Sequence, residues 1–259
     1  MRVTYLPVLQ ILRDLYLQPR DITRFRRYIA SLTGGSDDVV LPIGVANPMA
    51  KEHAVVKIDE LLAIDADEVG AQAAADADAR LKQIEQYVEI KASVVLVDDL
   101  AGGWTNRYTS EASVRFPGRG ALKRPFATAL AWTSESPTAD DIRREMLAAI
   151  YRVAFQQRHG LPTSLEAMLD QEGLAGVFAA ARPTLEPTPL SAARAIIKKV
   201  GADPPYPTVF AAMYGDAAAD QLGYPMLGLP ARAGFEVALA DALERRRDPV
   251  ATLGPATQW

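Results

Sequence analysis

The stretch ASVVLVDDLAGGWTNRY, residues 92–108, decides the fold of this chain. Within it, residues 93–97 comprise one serine, three valines and one leucine, and such an apolar run without polar alternation is typical of a strand buried on both faces. Asp98 and Asp99 should end this strand, because two adjacent carboxylates are costly to bury together. We therefore predict a central strand over residues 93–97.

The second part of the stretch predicts a turn that leads into a helix. Gly102 and Gly103 allow a ligand to approach the backbone closely, and Thr105 can cap a helix that begins at Asn106. The first N–H groups of such a helix attract anions, and Arg107 adds a planar fork that matches a carboxylate or a phosphate. The alternative is an ordinary strand-to-helix connection with a solvated arginine. Neither GxGxxG nor GxxxxGK[ST] occurs, so a nucleotide site is not indicated.

Two further apolar segments predict strands, residues 39–45 (VVLPIGV) and residues 126–132. Pro42 indicates that the first of these lies at an edge of the sheet or starts late, and the dipeptide Asn47-Pro48 after it predicts a helix start. Three strands that each lead into a helix predict a helix-rich α/β fold, with a small parallel or mixed sheet of about three or four strands covered by many helices.

Helical periodicity and capping residues predict the rest of the first half. A helix is expected over residues 4–17, and Asp21 caps a second one that ends at Gly34. On that second helix, Arg24 and its neighbouring arginines are interpreted as a solvated face. The alanine-rich residues 66–89 predict a mostly exposed helix.

The second half is predicted to be helical. Thr138 caps a helix that runs through about Arg158, and a capping box that starts at Thr163 predicts another helix. A proline-rich linker, residues 182–189, precedes four shorter helices, over residues 191–200, 208–214, 216–222 and 231–247. We expect a single domain over residues 1–259, with a helical C-terminal subdomain over residues 188–259 as the alternative.

Composition excludes several classes of function. The formal net charge of −4 leaves no basic footprint, so nucleic acid is not expected as a partner. The chain has 0 cysteines, which excludes thiolate catalysis, cysteine-ligated zinc and disulfides. No apolar run approaches the roughly 20 residues that span a bilayer, and the N-terminus does not have the pattern of a signal peptide. We expect a soluble, cytoplasmic protein that does not bind a membrane; a homo-oligomer is left open.

The candidate site follows from the predicted topology. In open α/β sheets, ligands bind beyond the carboxyl ends of the strands, where this chain offers residues 47–53, 98–107 and 133–138. Those segments converge if the strands are parallel neighbours. The residues assigned to catalysis, by proton transfer or by orienting a partner, are His53, Glu52, Asp98 and Asp99. Those assigned to binding of a small anionic substrate are Gly102, Gly103, Trp104, Asn106, Arg107 and Lys51.

The function expected from this site is an enzyme, a hydrolase or a lyase, that acts on a carboxylate- or phosphate-bearing metabolite by general acid/base chemistry. One alternative is a non-catalytic helical binding or assembly protein; another is a divalent-metal-dependent hydrolase or lyase. The chain has 2 histidines and neither HExxH nor HxH, so no metal ligands are assigned and no bound zinc is expected. No GxSxG motif supports a serine hydrolase, and no cofactor is indicated.

Overall fold

The computed structural model of the protein describes residues 1–100 and 106–254. The chain forms two compact units, Met1–Gln157 and Arg158–Trp259. The expectation of a single domain over residues 1–259, with a subdomain over residues 188–259 as the alternative, stays a prediction. Among the described helices, none combines the length and the apolar character that a membrane span requires.

The sheet of the first unit has three parallel strands in the described residues, β1 (Arg2–Tyr5), β2 (Glu89–Val97) and β3 (Phe126–Trp132), in the order β1-β2-β3. The predicted helix-rich α/β class is confirmed. Residues 92–97 of the central strand are all buried, as expected for a strand that is covered on both faces. The predicted strands over residues 93–97 and 126–132 are therefore confirmed.

Six α-helices and one 3₁₀ helix accompany this sheet in the described part of the chain. They are α1 (Leu9–Tyr16), α2 (Ile22–Thr33), α3 (Glu52–Ala63), α4 (Ala66–Leu81), α5 (Arg107–Arg115), the 3₁₀ helix (Arg119–Lys123) and α6 (Ala139–His159). The bounds of α2 agree with the prediction, because the side chain of Asp21 accepts hydrogen bonds from Thr23 N and Arg24 N and Gly34 adopts a left-handed φ of 57°.

The edge strand of the sheet is not the predicted one. Residues 39–45 form turns and bends, because the N–H groups of Val40 and Leu41 donate to the carbonyl of Leu32, at 2.9 and 3.3 Å. The edge position beside β2 is taken instead by β1, which occupies the start of the helix predicted over residues 4–17. That helix begins only at α1, after Pro7. The strand predicted over residues 39–45 and the start of the helix predicted over residues 4–17 are therefore wrong. Two segments with similar strand propensity could take the edge position beside β2, and local sequence does not distinguish them.

The helix predicted over residues 66–89 is shorter and less exposed than expected. It ends at Leu81, and one face is buried through Ala73, Ala74 and Ala77. These small side chains allow α4 to lie close to β1, where the hydroxyl of Tyr5 donates a 2.6 Å hydrogen bond to Asp67. The residues from Glu89 onward belong to β2.

Arg24 of α2 does not lie on a solvated face, contrary to the interpretation of the sequence. Its side chain is buried, and its guanidinium donates to the carbonyls of Tyr16, at 2.7 Å, and Ala50, at 2.8 Å. A further bond reaches the carbonyl of Gln18. Arg24 therefore satisfies backbone acceptors that a buried turn would otherwise leave without partners.

The second unit is helical in its described residues. Its helices are α7 (Leu165–Phe178), α8 (Pro187–Lys198), α9 (Tyr206–Tyr214), α10 (Asp216–Gln221), α11 (Ala233–Glu244) and α12 (Pro249–Thr252). The cap of α7 is Ser164, whose hydroxyl accepts from Ala167 N at 3.2 Å, and not Thr163 as predicted. Close packing of α7 on α11 depends on Gly173, where a Cβ would overlap the carbonyl oxygen of Ala238.

Candidate active site

The carboxyl ends of β2 and β3 place two carboxylates side by side. The two strands end in register at Val97 and Trp132, and Asp98 and Asp99 follow directly. Each of these carboxylate side chains is only 5% exposed. Burial of two adjacent carboxylates was expected to be costly, yet both are buried. Hydrogen-bond donors surround them and offset the loss of hydration.

The described residues supply several hydrogen-bond donors to Asp98. Its Oδ1 accepts from Nε2 of His53 at 2.8 Å and from the hydroxyl of Thr133 at 3.1 Å. The backbone N–H of Leu100 also donates to Oδ1, at 3.2 Å. Its Oδ2 accepts from the side-chain amide of Asn47 at 3.2 Å. Asp98 therefore ties the loop before α3 and the start of α3 to the ends of two strands.

Asp99 has a second set of donors, mostly from the residues that follow β3. Its Oδ1 accepts from the N–H of Ser134 at 2.9 Å, and its Oδ2 from the Ser134 hydroxyl at 2.6 Å. Nη1 of Arg107 lies 3.3 Å from Oδ2. The Thr133 hydroxyl lies 3.0 Å from Oδ1 of Asp99, so the single hydroxyl hydrogen is shared between the two aspartates. We refer to Asp98, Asp99 and their side-chain partners as the carboxylate cluster.

His53 reaches the carboxylate cluster from the first turn of α3. The helix begins at Glu52, with Lys51 as its N-cap, and not at the predicted Asn47-Pro48 position. Asn47 uses its side-chain oxygen to accept from Met49 N at 3.0 Å and its amide to donate to Asp98. The His53 side chain is 31% exposed, and in the described part of the chain only its Nε2 makes a hydrogen bond.

Arg107 enters from the start of α5. The cap of this helix is Asn106, whose side chain accepts from Tyr108 N at 2.9 Å and Thr109 N at 3.2 Å. The helix was expected to begin at Asn106 and to be capped by Thr105, which lies outside the described residues. Because Asn106 occupies two N–H donors of this helix start, Arg107 is the stronger candidate contact for an anion.

The guanidinium of Arg107 is already engaged by acidic partners. It forms ion pairs with Asp99 and Glu135 and donates to the Ser134 hydroxyl at 3.2 Å. It also lies over the Trp132 ring, with its central carbon 4.9 Å from the ring centroid. Burial lowers the pKa of Arg107, whereas the hydrogen bond and the charge of Glu135 raise it. The second effect is larger, so the pKa of Arg107 lies above its ordinary value.

The structure brings together part of the predicted site. His53, Asp98, Asp99 and Arg107 lie in the carboxylate cluster, and Asn106 caps the helix that carries Arg107. Glu52 and Lys51 are exposed, and no hydrogen bond joins their side chains to the cluster among the described residues. Three predicted substrate contacts, Gly102, Gly103 and Trp104, lie outside the described residues.

Several residues of the cluster were not assigned from sequence. They are Asn47, Thr133 and Ser134, together with Trp132 and Glu135, which contact Arg107. Residues 133–138 had been placed at the end of a predicted strand, and hydroxyl side chains directly after a buried strand are a usable signal for donors to neighbouring carboxylates. Asn47 carried no such signal, because its pattern also fits a helix cap.

The side chains of the carboxylate cluster indicate one reaction step. The chain matches no protein-family model, no curated protein and no solved structure. Within the described ranges, no group of three or more His, Asp or Glu side chains is arranged to hold a metal ion. An imidazole that is hydrogen-bonded to a buried carboxylate can accept and release a proton, and this is the reaction step that the geometry supports best.

Proposed function

We propose that this protein is an enzyme that acts on a small metabolite bearing a carboxylate or a phosphate by general acid/base chemistry, with His53 as the proton-transferring group. The observation that carries the proposal is the 2.8 Å contact between Nε2 of His53 and Oδ1 of Asp98. Because an ionised carboxylate only accepts hydrogen bonds, Nε2 carries the hydrogen in this contact. The lone pair of the neutral ring is then on Nδ1, which can take a proton from a substrate.

Asp98 acts in this scheme as a positioning residue. Its other donors, Asn47, Thr133 and Leu100 N, hold the carboxylate at the strand end, so the orientation of the imidazole is set before a substrate binds. When His53 takes up a proton, the negative charge of Asp98 stabilises the imidazolium. The role of Asp98 therefore depends on its burial and on its fixed donors.

The substrate anion is held in this proposal by Arg107. Its partner Glu135 has a side chain that is 48% exposed, whereas the side chain of Asp99 is 5% exposed. A carboxylate or phosphate can displace the exposed partner while Asp99 keeps the guanidinium in place. Gly102, Gly103 and Trp104 stay in the proposal as substrate contacts on the sequence argument alone.

An untargeted turnover assay tests the proposal. The purified protein is incubated with a mixture of metabolite carboxylates and phosphate esters, and consumption of each component is followed by proton and phosphorus NMR. We expect turnover of at least one component, and His53→Gln should slow it by about 10²-fold or more. Glutamine keeps a donor towards Asp98 but cannot transfer a proton.

The chain offers a matched control in its second histidine. His159 contacts the carbonyl of Thr252 at 3.2 Å in the second unit, so His159→Gln should turn over substrate at the wild-type rate. Equal rates for His53→Gln and His159→Gln, or no turnover of any component, would contradict the proposal. Repeating the assay with added Mg²⁺ or Mn²⁺ tests the metal-dependent hydrolase or lyase.

The non-catalytic alternative has one observation in its favour. Ile22 and Ile29 of α2 are 59% and 39% exposed on a helix that also exposes Arg26 and Arg27. Exposed apolar side chains beside basic ones are typical of a surface that meets a protein partner. Binding of a component in the NMR assay without any turnover would favour this class over the enzyme.

A further inference from the structure

A cavity lies in the first unit, and its lining does not include the residues of the carboxylate cluster. Its volume is about 250 Å³, and its wall combines the end of α5, the loop that contains the 3₁₀ helix, the first residues of β3 and the C-terminal half of α6. Thr128 lines this cavity, whereas Thr133 belongs to the cluster. Five residues of one strand separate the two positions, roughly 16 Å at a rise of about 3.3 Å per residue.

Three polar side chains of the wall are buried, whereas the side chain of Arg124 is 46% exposed. Thr128 is 7% exposed, and its hydroxyl has no hydrogen-bond partner among the described residues, although buried hydroxyls are normally paired. Arg152 is 6% exposed and is held by Glu145 through a 3.0 Å ion pair. Gln156 is 5% exposed, and its amide donates to the carbonyl of Arg115 at 2.9 Å. Thr128 and Arg152 thus line the same cavity, and both carry N–H or O–H donors that suit an acceptor group.

The charged residues in the wall of the cavity are all positive. The charged residues that line the cavity are Arg124 and Arg152. Their acidic partners, Asp38 and Glu145, do not belong to the lining. The lining therefore offers guanidinium donors and no carboxylate, which suits an anionic ligand better than a cationic one.

Most of the remaining wall is apolar. It includes Val114, Phe126, Ala149 and Val153. Val114 also packs against the buried core residues Val97, Leu130 and Trp132, so contacts with the core fix the position of this part of the wall. The volume lies just below the range of about 300–1,000 Å³ that is typical of pockets for drug-sized ligands, so a compact molecule fits.

We infer that this cavity binds a small monocarboxylate with an apolar body. The carboxylate accepts hydrogen bonds from the Thr128 hydroxyl and from the guanidinium of Arg152, and the body contacts Val114, Phe126 and Val153. A phosphate ester is disfavoured, because its additional charged oxygens would lie against apolar side chains without donors. This site is separate from the proposed active site and does not depend on it.

Calorimetric titration with two acids and their neutral amides tests the inference. The probes are pentanoate, benzoate, pentanamide and benzamide, and comparison of the first two distinguishes an aliphatic from an aromatic body. We expect at least one acid to bind, and its amide to bind about tenfold more weakly or not at all. Absence of binding by both acids, or equal affinity for an acid and its amide, overturns the inference.

Variants at Thr128 test the position of the ligand. Thr128→Val has nearly the same shape without the hydroxyl and should weaken acid binding by about 3- to 10-fold, whereas Thr128→Ser should retain it. Val153→Phe should fill the cavity and abolish binding, with a thermal melt to verify folding; if it does not fold, the two Thr128 variants decide. Equal affinities of Thr128→Val and Thr128→Ser count against the site.

Binding at the carboxylate cluster must be distinguished from binding in the cavity. Arg107→Lys alters the anion contact of the proposed active site but not the lining of this cavity. The affinity for the bound acid should therefore be unchanged in Arg107→Lys. A loss of affinity in Arg107→Lys with none in Thr128→Val would assign the carboxylate to the cluster and overturn the inference.

Discussion

The central carbon of the Arg107 guanidinium lies 4.9 Å from the centroid of the Trp132 ring. Arg107 is the first residue of α5 and Trp132 is the last residue of β3, so this contact joins a helix start to a strand end. The same guanidinium forms ion pairs with Asp99 and Glu135. Arg107 is therefore a structural link between these elements as well as the proposed anion contact.

Arg107→Lys should lower stability as well as affinity. Lysine keeps the charge but loses the planar fork and the stacking on Trp132, and we expect a loss of about 1–2 kcal/mol in the free energy of unfolding. Urea denaturation measures this change. Arg119→Lys, at an exposed arginine of the 3₁₀ helix, is the control and should leave the midpoint unchanged. Identical midpoints for both variants would show that Arg107 is not a structural link.

Val95→Asp should destabilise the first unit severely. Val95 is 0% exposed in the central strand, so the variant would place a charge without a partner in the core, at a cost of several kcal/mol, on the order of 4 or more. Circular dichroism during a thermal melt measures the loss. Tyr87→Asp adds the same charge at an exposed position just before β2 and should melt like the wild type. A normal melting temperature for Val95→Asp would refute the buried central strand.

Gly173→Ala should destabilise the second unit, although glycine is usually a poor residue in a helix. The added methyl group would overlap the carbonyl oxygen of Ala238 on α11, and such overpacking costs about 1–3 kcal/mol. Gly176→Ala, on the same helix, meets the side-chain tip of Leu239 at 2.9 Å, which can rotate away. We expect Gly176→Ala to be nearly neutral in a urea titration; equal effects of the two variants would contradict the close approach of the backbones.

Asp141 should make stability depend on pH below about pH 4. Hydrogen bonds from the hydroxyl and the N–H of Thr138, at 2.7 and 2.9 Å, lower the pKa of Asp141 in the folded protein. A carboxyl with a lowered folded pKa contributes stability that is present above the unfolded pKa of about 3.9 and is lost as pH falls through the folded pKa. The wild type should thus exceed Asp141→Asn in stability at pH 5–7, and the difference should shrink towards pH 3.

The control for the pH experiment is the neighbouring aspartate. Asp140 is exposed and its side chain makes no hydrogen bond among the described residues, so Asp140→Asn changes the net charge equally without removing the cap. Urea midpoints of the wild type and both variants, measured from pH 3 to pH 7, separate the two effects. A pH dependence that is the same for both variants would attribute the change to net charge alone.

The sequence by itself determined the central strand, the strand over residues 126–132 and the helix between Asp21 and Gly34. These elements depend on local signals, namely a short apolar run, a side chain that can cap a helix, and a glycine that adopts a left-handed φ. The sequence also indicated that Asp98, Asp99 and residues 133–138 lie at the carboxyl end of the sheet, because this follows from where the strands end. Local energies decide such features, so a local pattern is sufficient to predict them.

Some segments have a local sequence that fits more than one structure, and for these the tertiary contacts determine the hydrogen-bond partner. Residues 2–5 and 39–45 both have strand propensity, and the first pairs with β2 while the second bonds to the carbonyl of Leu32. Asn47 can cap a helix, yet its amide donates to Asp98. Arg24 donates to the carbonyl of Tyr16 at the end of α1 and to the carbonyl of Ala50 before α3. In each case the alternatives are similar in local energy, and contacts between residues far apart in sequence make the difference.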